Sequence, residues 1–182
     1  MKRIYALLLS VGVASASVTA FVSHASAASC SATDASEVTR LRGEINSLLK
    51  KNAHSGVVSN SEKLFALGKK GCEVKPDDYK NAGYSAQQLG DIGAALEWYK
   101  AGNASNDVAN ITTRFGEVAI KEKAGDLTKE GGMPFAPDER AALEKGTAAV
   151  KKNGKFEGFL PLGKYTLGSK TFEVVAGKVT KI

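Results

Sequence analysis

The stretch from Gly154 to Ile182, GKFEGFLPLGKYTLGSKTFEVVAGKVTKI, reads as a run of short strands punctuated by Gly and Pro. Its large apolar side chains are Phe156, Leu160, Tyr165, Leu167, Phe172, Val174 and Val179. Phe172, Val174 and Ala176 sit two apart, the period that puts side chains on one face of a strand. Gly163, Gly168 and Gly177 fall where the chain must turn, and Gly accepts the positive φ such turns need. The chain upstream therefore has to deliver and brace a small β module.

That upstream part is helical in pattern. Asp34-Ala-Ser-Glu37 has capping-box spacing, and Val38, Leu41, Ile45, Leu48 and Leu49 follow as one apolar stripe. A second helix is expected over about 56–70, with Ser55 as a candidate N-cap, a third over Pro76 to Leu89 and a fourth over Asp91 to Gly102. Connections this short favour antiparallel hairpins. Residues 103–112 read as a polar linker, Arg114 to Lys121 as a first strand, and Lys121 to Met133 as a charged, Gly-rich loop. Pro137, Asp138 and Glu139 suit a helix N-terminus, and Asn153-Gly154 suits its end. The expected fold is α+β: repeat-like antiparallel α-helical hairpins over 28–106, then a small β-sandwich over 107–182 with an inserted helix at 137–153.

Lys2 and Arg3, an apolar run from Ile4 to about Val22, and the small residues Ala25, Ser26 and Ala27 make residues 1–27 a secretory signal peptide. Its removal lowers the formal charge from +6 to +4. The chain that remains has the length of one ordinary domain or two small ones, and after cleavage it is not expected to be integral to a membrane. Export to the periplasm or the medium implies an oxidising compartment, so Cys30 and Cys72 are read as one disulfide. The alternative uses Ala-Ala-Ser-Cys as a lipoprotein box, with Cys30 lipidated and Cys72 left alone.

Two segments carry resemblances. NAGYSAQQLGDIGAALEWYKAG, residues 81–102, resembles a tetratricopeptide repeat: Gly83 and Ala95 take the small positions where paired helices touch, Gly90-Asp91 the turn between them, and Tyr99 the bulky knob. The resemblance implies packed helical hairpins and, in longer arrays, a peptide-binding surface. FLPLGKYTLGSKTFEVVAGKVTKI is similar to PEGA-type and carboxypeptidase-regulatory-like modules through Pro161, Gly163, Tyr165, Val174 and Gly177. That similarity implies a small extracellular β-sandwich.

Catalysis needs a positioned acid, base, nucleophile or metal. His54 is the only His after residue 27, and it reads as part of the turn before the second helix. Asp77-Asp78 and Asp138-Glu139 lie in expected first helical turns, where the dipole accounts for them. One His and two bridged Cys leave too few ligands for zinc, and no phosphate loop is present. The expectation is a non-catalytic protein without metal or cofactor. After Val150 there are seven Lys against Glu157 and Glu173. Lys155, Lys164, Lys170 and Lys178, with Tyr165 or Phe159 as sugar-stacking rings, are therefore candidates for an anionic envelope polymer. Trp98 and Tyr99 are candidates for a partner protein docked on the helical hairpins, which would make the chain a scaffold or adaptor. Trp98 is also a candidate contact between the helical part and the β module. Nucleic acid is not expected, because the charge lacks clustered Arg and the protein is exported.

Overall fold

The computed structural model describes residues 29–121 and 125–182, so the signal-peptide reading of residues 1–27 lies outside the described residues. The fold is α+β. In chain order it runs α1 (Ala32–Lys50), α2 (His54–Gly68), α3 (Pro76–Gln88), α4 (Ile92–Ala101), α5 (Ser105–Thr112), β1 (Phe115–Ile120), β2 (Leu127–Lys129), α6 (Pro137–Asn153), β3 (Phe156–Pro161), β4 (Gly163–Leu167), β5 (Lys170–Val174) and β6 (Val179–Lys181).

Local chemistry explains the helix ends, and not always as the sequence suggested. α1 starts earlier than Asp34: the Ser31 hydroxyl caps it by accepting from the Asp34 amide at 3.0 Å and donates to the Asp34 carboxylate at 2.8 Å. The N-cap is therefore Ser31, not Asp34. α2 begins at His54 with no side-chain cap, so Ser55 does not serve as one. In α3 the Asp78 carboxylate accepts from the Lys75 amide at 2.8 Å. Asp91 caps α4 by accepting from the Ala94 amide.

Two stretches read as irregular are ordered elements. Residues 103–112 are not a linker: Asn103 turns the chain at φ 53° and α5 follows. Val108 and Ile111, three apart, share one helical face, and Ile111 is buried. The polar composition around them hid that face. Within 121–133, Leu127 is likewise buried, and it starts the short β2.

The strands form two three-stranded sheets, ordered β3-β1-β6 and β2-β4-β5. β1 is antiparallel to β3, with Phe115 opposite Pro161 and Ile120 opposite Phe156, and parallel to β6, with Glu117 opposite Val179. β4 pairs antiparallel with β2 and β5. Val118, Ile120, Leu127, Leu160, Tyr165, Leu167 and Val174 from both sheets enclose one core with Leu143 and Val150 of α6. A second core lies between α1 and α2 and includes Val38, Leu41, Ile45, Val57, Leu64, Leu67 and Cys72. Arg42 ties that pair to α3 through two-pronged contact with Asp78, at 2.7 Å for Nη2 to Oδ2. Cys30 and Cys72 are joined in a disulfide that closes a loop over a sequence separation of 42. Lipid attachment would need the Cys30 thiol that this bond occupies.

A third core joins the two halves. Ile92, Ala95, Leu96 and Tyr99 of α4 and Ile111 of α5 pack with Phe115 of β1 and Ala142 of α6, and Phe159 of β3 lies against them. Gly90 at the α3–α4 turn has φ +71°, and a Cβ there would stand 2.4 Å from the Ala141 carbonyl carbon. Beneath this contact runs a polar chain. Tyr99 Oη donates to Gln87 Oε1 (3.0 Å), Gln87 Nε2 to Asp138 Oδ2 (2.6 Å), and Arg114 Nη2 to Asp138 Oδ1 (2.6 Å). Arg114 Nε also donates to Glu139 (3.0 Å). Burial disfavours charge on Asp138, but Arg114 and Gln87 outweigh it and hold its carboxyl below the usual range.

Three outcomes follow. Gly90→Ala, strained in φ and pressed on the α6 backbone, should lower stability by about 2 kcal/mol or more in urea denaturation. Replacing both cysteines with Ser should lower it by up to about 4 kcal/mol in the chain-entropy account. The depressed folded value of Asp138 contributes stability that is complete above the ordinary aspartate value and is lost as pH falls through the folded one. Asp138→Asn should therefore cost about 3 kcal/mol near neutrality, and the gap to wild type in denaturation midpoints should narrow only in acid, below about pH 4. A pH-independent gap would assign the loss to packing instead.

Candidate binding surfaces

The lysine candidates are divided between the two sheets. Lys155 precedes β3 beyond the Ile120 end of β1, whereas Lys178 precedes β6 at the Glu117 end. Lys164 and Lys170 belong to the other sheet, on β4 and β5. Lys164 stands opposite Glu173 in the strand register. The hollow beside it, about 620 Å³, is lined by Lys129, Glu130, Lys164 and Glu173 among the residues of β2, β4 and β5. Its charge is mixed. Two of the four lysines lie on or beside each sheet.

The ring candidates of the β half are structural. Tyr165 is 1 % exposed, donates to the Pro161 carbonyl at 2.7 Å and stacks on Phe172 with centroids 5.5 Å apart. Phe159 is half-buried in the joint between the halves. Tyr99, on α4, is buried as well: its ring lies where a Gly83 Cβ would be, 2.8 Å from Cδ1, and its hydroxyl belongs to the polar chain. Burial pushes both phenols well above the ordinary tyrosine value, so they remain protonated donors.

Trp98 falls differently. Tyr99 points into the core, and Trp98, one residue earlier and about 100° round the helix, is left half-buried on the outside. It packs against the rim of the core that joins the halves, as Phe159 does from the β side, while Gly90 and Gln87 make the direct contacts to α6. Its ring stands over Phe65 of α2 at 5.8 Å, and Phe65 stacks on Tyr79 of α3 at 4.5 Å and 15°. Phe65 is outside for the same reason as Trp98, because its neighbour Leu64 takes the core position.

Two close approaches seat the walls of this cluster. A Cβ on Gly68 would lie 2.4 Å from Val74 Cγ2, and one on Gly102 would lie 2.9 Å from the Pro76 carbonyl oxygen and the Tyr79 Cβ. The ends of α2 and α4 are thereby drawn onto the start of α3. The result is an open groove of about 660 Å³ lined by Phe65, Cys72, Val74, Tyr79 and Trp98, with Glu62 and Lys69 also contributing to it. Three half-open rings beside a Val and a disulfide suit apolar side chains of a partner. Of its three rings, the sequence singles out only Trp98. Phe65 and Tyr79 carry no spacing signal, because their rings meet through tertiary packing.

The remaining chemical candidates have structural partners. His54 Nδ1 lies 3.3 Å from Ser85 Oγ, and its ring meets Tyr84 edge-on at 5.5 Å. Ser85 is fully buried. Asp78 and Asp138 are held by Arg42 and Arg114. Among the described residues no group of three or more His, Cys, Asp or Glu is placed to hold a metal, and no helix is long and apolar enough to cross a membrane. No family model, curated protein or solved structure matches the chain.

Proposed function

We propose that this chain is an exported, non-catalytic adaptor that docks an apolar segment of a partner protein in the groove of Phe65, Tyr79 and Trp98. The observation that carries the reading is the cluster of three half-open aromatic rings on one helical surface. Buried aromatic anchors dominate docking energies, and Trp and Tyr are the residues most often found there. The Cys30–Cys72 disulfide fits an oxidising compartment, periplasmic or secreted, and it braces the wall that carries Val74. The competing reading, an anionic envelope polymer on the lysines of the β module, draws less support from lysines spread over two sheets and set among glutamates.

Trp98 is the only Trp in the chain, so its emission reports on the groove directly. Titration with short amphipathic peptides carrying Leu and Phe should give a saturable blue shift. Trp98→Phe removes the signal, so affinity should be compared in Phe65→Ala and Tyr79→Ala, each expected to weaken binding about thirtyfold. The same protein is then titrated with polyglutamate. An unmoved Trp98 with all peptides, together with polyglutamate binding abolished by charge reversal at Lys164, Lys170 and Lys178, would replace this reading with the polymer one.

A further inference from the structure

The loop between β2 and α6 carries the most exposed large apolar side chain among the described residues. Phe135 is 96 % exposed and Met133, two residues earlier, 51 %. Scattered surface hydrophobes need no explanation, but here two share one short loop, on a base that fixes their direction. Gly131 and Gly132 both have φ +83°, with open space around them. The Glu130 amide donates to the Lys164 carbonyl at 2.9 Å and the Gly132 amide to the Lys129 carbonyl at 3.2 Å, so the near side is tied to the sheet. On the far side Arg140 Nε donates to the Pro134 carbonyl at 3.5 Å, and the Arg140 amide donates to the Ala136 carbonyl at 3.0 Å. Pro134 and Pro137 restrict the backbone on either side of Phe135.

A protruding tip of this size selects its partner. A stable protein interface covers about 800 Å² on each side, far more than two side chains supply. A bilayer needs no complementary shape: it takes isolated apolar and aromatic protrusions at the headgroup–acyl boundary and adds attraction from cations above them. Lys129 and Arg140 sit at the two ends of the loop. Of the nearby carboxylates, Asp138 and Glu139 are taken up by Arg114, which leaves Glu130 on the rim. Without residues 1–27 the chain is still cationic, at a formal +4, which favours an anionic surface.

We propose that Met133 and Phe135 insert into the interfacial region of a phospholipid bilayer, with Lys129 and Arg140 meeting the headgroup phosphates. The tip lies by the last turn of α3, where Gln87 holds Asp138, while Tyr79 of the aromatic groove lies in its first turns. The two surfaces are thus near opposite ends of one helix.

The test is co-sedimentation of the purified, disulfide-bonded protein with sucrose-loaded vesicles of phosphatidylethanolamine and phosphatidylglycerol. Wild type should pellet with them, and Met133→Ser/Phe135→Ser should lower the partition coefficient at least about tenfold. Both side chains are exposed, so the double variant should keep the wild-type circular dichroism and melting temperature. In Trp98→Phe/Phe135→Trp, the sole Trp should shift to the blue and be quenched by brominated lipid. Equal partition of wild type and the double Ser variant would overturn the proposal, since the apolar N-terminal run, if still attached, would give that result. So would a wild type that stays in solution, or a tip Trp that brominated lipid leaves unquenched. A photocrosslinker at Phe135 that captures a protein and no lipid would place the tip in a protein interface instead.

Discussion

Asp138 is the hinge pin of the molecule. It sits in the first turn of α6, 4 % exposed, between Arg114 on the approach to β1 and Gln87 in the last turn of α3, and Gln87 is itself held by Tyr99 of α4. A carboxylate taken out of water is costly unless its charge is paired and its lone pairs are used. Here both oxygens have donors, and the backbone amide of Glu139 adds another at 2.9 Å. The gain lies less in net stability than in geometry: apolar surfaces slide over one another, whereas a satisfied polar chain permits one docking of the helical half on the β half. Gly90, pressed on the α6 backbone, and Lys145, paired with Asp91 at 2.6 Å, reinforce that one arrangement from outside.

Placing the acidic pairs in structural roles changes how the surface is read. Asp78 and Asp138 each neutralise an arginine that ties one helix to another element. His54 lies against a buried serine and the edge of a tyrosine ring. The exposed apolar features are the rings gathered near the N-terminal end of α3 and the tip that carries Met133 and Phe135. Under the two proposals, these places are set apart by α3, one fixing position and the other holding a partner.

Much of the architecture is legible in the residues. The helical stripe Val38, Leu41, Ile45 is buried where its period places it, and the glycines at 163, 168 and 177 all take positive φ at turns. The cysteine pairing follows from two cysteines and an export pattern. The misses share a cause: local composition outvoted by distant contacts. α5 carries only Val108 and Ile111 on its inner face, and β2 only Leu127, so neither has enough periodic signal to stand out. The lysines suggested a face because sequence distance ignores which sheet a strand joins. Trp98 was singled out by type, but its companions Phe65 and Tyr79 lie 33 and 19 residues earlier in the chain and meet it only through the packing of three helices.

The parallel pairing of β6 with β1 makes the β half depend on the last residues of the chain. Residues 117–119 find their partners at 179–181, across β2, α6 and three further strands. The fully buried residues of the α1–α2 core and both cysteines of its cross-link lie at or before Cys72. Cross-linking of the first helices in an oxidising compartment thus needs none of the β half, whereas the central strand of the β3-β1-β6 sheet keeps an open edge until residues 179–181 join it. Loop closure over that distance is entropically slow. During that interval an unpaired strand edge is the vulnerable part of the molecule.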